Sequence, residues 1–216
     1  MSPAAAPTAA PAVESPADSP CPASAPAAPE PAVGAASASD SAALASAPVV
    51  VRPGRPDDVP ELLAIYNHQI VTSVSPLHLE PRTLSMWEQW FADHQTERHP
   101  LLVADVDGRP VGYACLSVFR PPAAYLTTAE LSIYVHRDVR GRGVATRLME
   151  AILAQARGCG SLHAVVSHVT GDNEPSQRLH RKMGFTLCGT LREAALKFGR
   201  YHDVHVYQLL LDEGRE

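Results

Sequence analysis

The sequence predicts a single α/β (α+β) domain behind a disordered N-terminal tail, and three observations predict it. Residues 1–48 are almost entirely Ala, Pro, Ser and acidic residues, and the composition changes at Val49. From there, stretches of strand-like and helix-like periodicity follow in the order β-α-α-β-β-β-α-β-α-β-β across residues 49–213, a length that suits one hydrophobic core. At the centre, Ala129 to Ala145 passes from an alternating strand through a glycine-rich turn straight into an amphipathic helix.

The tail is expected to stay disordered. Proline removes backbone donors and blocks helix interiors, and alanine buries too little surface to offset chain entropy. Val49-Val-Val-Arg52 reads as a short strand. Asp57 or Asp58 is placed to cap a helix through Val59, Leu62, Ile65, Tyr66 and Ile70, with Pro60 tolerable in the first turn. A second helix covers Leu84 to about Gln95, and its Met86, Trp87, Trp90 and Phe91 read as core anchors. Pro100–Asp105 and Pro110–Val118 are strands joined by Asp107-Gly108, a strong hairpin signal. A Pro-containing loop, Phe119–Thr127, leads to the central strand. The helix after the glycine turn ends near Gly158 or Gly160, and Leu162–His168 is the next strand. Asp172–Ser176 opens a helix that carries Leu179, His180 and Met183 and stops at Gly184. Phe185–Leu191 and Asp203–Leu211 are the last strands, separated by Lys197–His202.

Charge and cysteine usage narrow the class. The net charge is -5, of which residues 1–51 carry -4. The remainder is near neutral, whereas a polyanion binder shows a basic excess, so nucleic acid is not expected as a partner. Cys21, Cys115, Cys159 and Cys188 form no CxxC pair and no zinc-ligand spacing; no metal is expected, and free thiols fit a cytoplasmic protein. No apolar run reaches the ~20 residues of a membrane span, and the N-terminus lacks the basic and apolar regions of a signal peptide.

The central stretch carries the chemistry. Leu131, Ile133 and Val135 alternate with Glu130, Ser132 and Tyr134, giving one apolar and one polar face. Arg140-Gly-Arg-Gly-Val-Ala145 then opens a helix with Val144, Leu148, Ala151 and Ile152 on one face. A helix N-terminus has unpaired N–H groups and a partial positive charge, so this turn reads as an anion site fed by a carboxylate-bearing strand.

These residues resemble the acyl-CoA-binding motif of the GCN5-related N-acetyltransferases (GNAT): a strand ending Tyr-Val-His, then Arg140-x-x-Gly143-x-Ala145. The stretches Ile65-Tyr-Asn-His68, Leu79-Glu-Pro-Arg82, Ala129-Glu130, Asn173-Glu-Pro-Ser176, Leu179-His180, Met183-Gly-Phe185, Leu191-Arg192 and Lys197-Phe-Gly-Arg-Tyr-His-Asp203 are similar to the phosphinothricin and methionine sulfoximine acetyltransferase branch. The resemblance implies a GNAT fold: one mixed, mostly antiparallel sheet flanked by helices. It implies acetyl-CoA as co-substrate, with its pyrophosphate at Arg140, Gly141, Arg142, Gly143, Val144, Ala145 and Thr146. The pantetheine arm would lie along Ile133, Tyr134 and Val135, and Asn173 and Ser176 would lie near that arm. Glu130 matches the catalytic glutamate, which implies it as the general base that takes the amine's proton, and His180 matches a general acid or second base, with backbone N–H near Val135 polarising the carbonyl. A small amine or amino-acid substrate would meet Arg120, Tyr125, Thr128, Ser132 and Tyr134, and Lys197 and Arg200 would add charge.

Two positions depart from that branch. Pro122 stands where relatives usually carry a second arginine, and Leu77 where some carry an aromatic. Acetyl transfer to phosphinothricin or methionine sulfoximine, and with it herbicide resistance, is therefore an expectation of the branch. Another amino acid or small amine fits the altered pocket as well. The alternatives are a protein N-terminal or lysine acetyltransferase, and a non-catalytic acyl-CoA-binding regulatory module. Relatives are often homodimers, which makes a homodimer the expected assembly.

Overall fold

A computed structural model describes residues 47–211. Nearly all of the expected tail (1–48), and residues 212–213 of the expected domain, lie outside the described residues. The elements follow the anticipated order: β1 (Val50–Pro53), α1 (Val59–Thr72), α2 (Leu84–Asp93), β2 (Leu101–Val106), β3 (Arg109–Val118), β4 (Thr128–Val135), α3 (Val144–Gly158), β5 (Ala164–Thr170), α4 (Glu174–Lys182), β6 (Thr186–Lys197) and β7 (Arg200–Leu210). They form one seven-stranded sheet in the order β1-β2-β3-β4-β5-β7-β6. Every neighbouring pair is antiparallel except β4 and β5.

Alternation along the strands fills both faces of the sheet. Leu102, Ala104, Ala114, Leu116 and Leu131 pack against α3, which contributes Val144, Leu148, Met149, Ile152 and Leu153. Leu101, Val103, Tyr113 and Cys115 face the other way, onto Leu62, Ile65, Tyr66 and Ile70 of α1 and Trp87 and Phe91 of α2. Burying a large apolar side chain is worth about 1.5–3 kcal/mol, so both helical layers are held to the sheet independently.

The entry to α1 differs from expectation. Asp58 adopts helical backbone angles and makes no side-chain cap. Its carboxylate instead accepts two bonds from Arg52, at 2.7 and 2.8 Å, and one from the Arg55 amide at 2.7 Å. Arg52 also bonds Asp105 at 2.7 Å, joining β1, β2 and the start of α1. Burial pushes the Asp58 carboxyl up, but these charge-assisted bonds outweigh it and hold the group below the usual carboxylate range.

The β2–β3 turn is as predicted, with Asp107 and Gly108 both at positive φ (50° and 83°), the geometry of a type I′ hairpin. The final hairpin is longer than expected. β6 continues to Lys197 and β7 begins at Arg200, with Phe198 and Gly199 turning at φ 51° and 73°. β6 is an edge strand exposed on both faces for most of its length, so it lacks the apolar alternation that marks a half-buried strand.

The feature that makes the site is the divergence of β4 and β5. They pair only over Thr128–Glu130 against Ala164–Val166. Beyond Glu130 the strands separate. The Ser167 hydroxyl reaches the Leu131 carbonyl at 3.3 Å, so that carbonyl faces β5. By strand alternation the backbone groups of Ile133 and Val135 face the same gap.

Candidate active site

Two cavities meet across β4. The larger, about 750 Å³, lies in the β4–β5 gap and runs to the N-terminus of α3. Its lining includes Ile133, Tyr134, Val135, Arg140, Gly141, Gly143, Val144, Ala145, Thr146, Asn173 and Ser176. Of the twelve residues expected to hold a CoA thioester, only Arg142 is absent from that lining. Its guanidinium donates to the Ala47 carbonyl at 3.0 Å, and it packs with the lead-in to β1.

The end of this cavity fits a pyrophosphate. Gly141 and Gly143 sit at φ 76° and 75°, a conformation costly for any residue with a Cβ, and no other atom lies within 4 Å of where a Cβ would be. The first helical bond of α3 runs from Arg147 N to Gly143 O, so the amides of Val144, Ala145 and Thr146 have no intrahelical acceptor. The first turn carries no acidic residue to compete for them. Across the cleft, Asn173 caps α4 by accepting from Ser176 N at 3.2 Å, which sets the orientation of both residues.

The smaller cavity, about 250 Å³, lies on the α1/α2 face. It is walled by Tyr66, Trp87, Trp90, Tyr113, Tyr134 and Met86, with His78, Arg82, Cys115, Ser117 and Ser132 completing it. Ser132 and Tyr134 line both cavities. Two buried donors in its wall, Trp87 Nε1 and Tyr113 Oη, have no partner among the described residues. Asn67 fixes Arg82 by clasping its backbone: Nδ2 donates to Arg82 O at 2.9 Å and Oδ1 accepts from Arg82 N at 2.8 Å. Burial pushes the Cys115 thiol up to about 12, so it stays protonated and unreactive near neutral pH. Burial, with Arg82 and Lys197 nearby, lowers His78 and keeps its imidazole neutral.

Glu130 stands on the same face of β4 as Ser132 and Tyr134, opposite Ser117 of β3. Its Oε1 lies 2.8 Å from His168 Nδ1 on β5. His180 is 1 % exposed. Its Nδ1 bonds the Ser176 carbonyl at 2.7 Å and its Nε2 the Ser167 hydroxyl at 2.9 Å. Burial lowers its pKa, so the ring is neutral, with the proton on Nδ1; Nε2 then accepts the single Ser167 hydroxyl proton, which leaves the longer Ser167–Leu131 approach without a proton of its own.

A match to the acetyltransferase (GNAT) family model covers residues 62–185. The chain belongs to the GNAT family. An L-methionine sulfoximine/L-methionine sulfone acetyltransferase from Pseudomonas aeruginosa is 36% identical over 159 residues, covering 73% of this chain and 92% of that protein. A phosphinothricin N-acetyltransferase from Streptomyces coelicolor is 36% identical over 166 residues, covering 76% and 96%. The crystal structure of a GNAT superfamily phosphinothricin acetyltransferase from Sinorhizobium meliloti in complex with AcCoA superposes on this chain with a TM-score of 0.74, at 27% identity over 77% of this chain and 90% of that one, and an acetyltransferase from Salmonella typhimurium solved with acetyl-CoA superposes with a TM-score of 0.73, at 29% identity over 78% and 96%.

Within this GNAT domain the acceptor side departs most from expectation. Ser132 and Tyr134 reach the smaller cavity, but Arg120, Tyr125 and Thr128 line neither. The Arg120 guanidinium lies over the Phe119 ring, 5.2 Å from its centroid, and Tyr125 meets the edge of the same ring. Lys197 and Arg200 are also engaged elsewhere: Lys197 Nζ donates to the Pro76 carbonyl at 2.5 Å and Arg200 pairs with Asp172 at 2.8 Å. Trp87 and Trp90, read from sequence as core anchors, are both packed and cavity-lining. Arg82, His78 and His168 were not assigned to the site. The available signal was period-2 placement: Tyr113, Cys115 and Ser117 share a face of β3, and His168 shares its face of β5 with Val166, the neighbour of Glu130.

Among the described residues no group of three or more His, Cys, Asp or Glu could hold a metal, and no helix is long and apolar enough to cross a membrane.

Proposed function

We propose that this protein is an acetyl-CoA-dependent N-acetyltransferase that acts on the amino group of a small amino-acid-like substrate of the phosphinothricin or methionine sulfoximine type. The carrying observation is that a pyrophosphate-fitted cleft and a small aromatic-walled cavity meet at Ser132 and Tyr134. Direct transfer needs two ligands to touch at one point, and this is such a point. The names of the relatives support the substrate class. In this reading the thioester supplies the activated acetyl group, and the chain's own residues position it and remove a proton from the amine.

The residues divide the work as follows. Val144, Ala145 and Thr146 amides with Arg140 hold the pyrophosphate, and the backbone of Ile133 and Val135 that faces the gap takes the pantetheine arm, which displaces the 3.4 Å bond from Gln69 Nε2 to the Val135 carbonyl. A backbone N–H near Val135 polarises the thioester carbonyl. The Glu130 carboxylate drives deprotonation of the amine. Arg82, rather than Arg120, meets the substrate's anionic end, and Trp87 Nε1–H and Tyr113 O–H supply hydrogen bonds to its oxygens. Their present lack of partners is the reason for placing ligand oxygens there. His180 acts from the floor of the cleft, by a proton passed through the Ser167 hydroxyl.

We carry three further parts of this reading as proposals. The catalytic unit spans 49–213. It works in the cytoplasm. It forms a homodimer, for which the exposed Leu187, Leu191 and Leu196 of β6 offer an apolar edge; light scattering in solution tests this.

Release of thiol from acetyl-CoA across a panel tests the activity. Phosphinothricin, methionine sulfoximine, free amino acids and simple amines are set against peptide N-termini and peptide lysines. Turnover is expected with free amino acids and not with peptides, because a cavity of about 250 Å³ admits a single small side chain. Acetyl-CoA binding without turnover of any amine would make the protein a binding module instead. Turnover of phosphinothricin is the result that would connect the protein to herbicide resistance.

A further inference from the structure

Glu130 lines neither cavity. The residue bonded to its carboxylate, His168, does line the cleft, alongside Ser132. The two come from strands 38 positions apart, and meet where β4 and β5 cease to pair.

We propose that the imidazole of His168 is the base that takes the amine's proton, at Nε2, and that Glu130 is the positioning residue behind it. This rests on the acetyl-transfer reading and deepens it by naming the atom. An ionised carboxylate only accepts hydrogen bonds, so the 2.8 Å contact requires the ring proton on Nδ1. The lone pair of the neutral ring is then at Nε2, which has no hydrogen-bond partner among the described residues. The side chain is about one-third exposed, so the ring is reachable from the cleft.

The groups facing the ring are few. Glu130 approaches from β4, and Arg120 contributes repulsion from the β3–β4 loop. From that loop the Phe119 ring also lies nearly parallel to the imidazole, at 11° and 6.4 Å between centroids. On β7 the facing residue is Val206, which is uncharged. On β3 Cys115 is held neutral by burial, and His94, which caps the end of α2, is engaged with Ser117 and Trp90. The Glu130 bond is the largest influence on the imidazole and raises its pKa above the ordinary value. That raises its strength as a base.

The step balances. The ammonium of the acceptor gives one proton to Nε2, leaving an imidazolium beside the Glu130 carboxylate. The amine's lone pair forms the C–N bond at the thioester carbonyl, the C–S bond breaks, and sulfur leaves with its electron pair. Sulfur takes the second amine proton. The products are an amide, a thiol and one proton that the imidazolium returns to water.

The test uses the full chain and two readouts. The first is the pH profile of turnover for wild type, H168A, H168N and E130Q. Asparagine offers a donor where Nδ1–H lies but no base where Nε2 lies. Both His168 variants are expected to lose about 100-fold in kcat, the usual scale for a general base, with the acid-side limb abolished. E130Q keeps a hydrogen-bond acceptor but loses the charge, so its limb moves to lower pH. The second is nitrogen-15 NMR of the histidine rings in the free protein. His168 is expected to show the Nδ1–H tautomer and to titrate at lower pH in E130Q. Wild-type rate and limb in H168N would reduce His168 to a structural contact and overturn the inference, as would an Nε2–H tautomer. Those results leave the acetyl-transfer reading standing. A wild-type protein that turns over no amine overturns that reading and this one together.

Discussion

At the residue scale, Gly143 shows how one backbone angle serves the site. Its φ of 75° starts α3 from the left-handed region, and nothing in the protein crowds the position. Gly143→Ala is therefore expected to cost about 1–2 kcal/mol of stability from the angle alone. The added methyl also occupies the space a phosphate needs, so the Kd for acetyl-CoA is expected to rise at least tenfold. Gly108 is the control, because it too is left-handed (φ 83°) with open space around it, but sits in the β2–β3 turn. Gly108→Ala should lower the melting temperature comparably and leave the Kd unchanged, by calorimetry. Equal affinity losses in both variants would remove the phosphate assignment from the glycine loop. The glycine pair was legible in the sequence because its chemistry is local: two glycines at a helix start constrain the backbone without help from elsewhere. His168 and Arg82 were not legible, because each gains its meaning from a strand or loop brought beside it by the fold.

At the element scale, the segment between α1 and α2 forms one wall of the smaller cavity. It carries His78 and Arg82 and is tied down at two points. Lys197 at the end of β6 holds the Pro76 carbonyl, and Asn67 of α1 clasps Arg82. Asn67→Ala removes both bonds to the Arg82 backbone, which predicts a stability loss of about 1–3 kcal/mol by denaturant titration. It also predicts a several-fold rise in acceptor KM with a smaller change in acetyl-CoA affinity, since the segment gives the larger cleft only Ser73, Val74 and Ser75, while β4, β5, α3 and α4 supply most of its lining. A matching loss of cofactor affinity would show that the clasp supports the whole domain and not this wall. Two of the cations expected at the acceptor are engaged elsewhere in the fold. Arg120 matches a basic position of the branch, and its guanidinium lies over the Phe119 ring, which in turn faces the His168 imidazole. Lys197 was chosen for its charge, yet its ammonium is buried at 3 % exposure and committed to a carbonyl. Helix and strand identities were predictable from periodicity, including the start of β6 as Phe185–Leu191, whereas its continuation to Lys197 lacked that signal because neither face is buried there.

At the scale of the whole molecule, the histidines set how stability responds to acid. His68, His78, His94, His99, His136 and His180 are all held below the ordinary imidazole pKa, in each case chiefly by burial. The unfolded chain, with imidazole pKa values near 6.5, therefore binds more protons than the folded one once the pH falls to that value. Stability must then decline as the pH drops. His168 acts in the opposite sense: its pKa is raised by Glu130, so its contribution is present below 6.5 and is lost as pH rises through the higher folded value. One raised group stands against six lowered ones, and the lowered set dominates between about pH 7 and 5. Asp58 extends the decline at lower pH, because its folded pKa lies below the unfolded carboxylate value near 3.9. The denaturation midpoint, followed in urea at constant slope, is expected to fall steadily from pH 7.5 to 5. His180→Gln should flatten part of that fall, since glutamine has no proton to refuse, and E130Q should steepen it by removing the one stabilising imidazolium. A midpoint that holds level from pH 7.5 to 5 would mean that the buried rings accept protons as readily in the fold as in water. The hydrogen-bonded, neutral state assigned to His180 at the floor of the cleft would then be wrong as well.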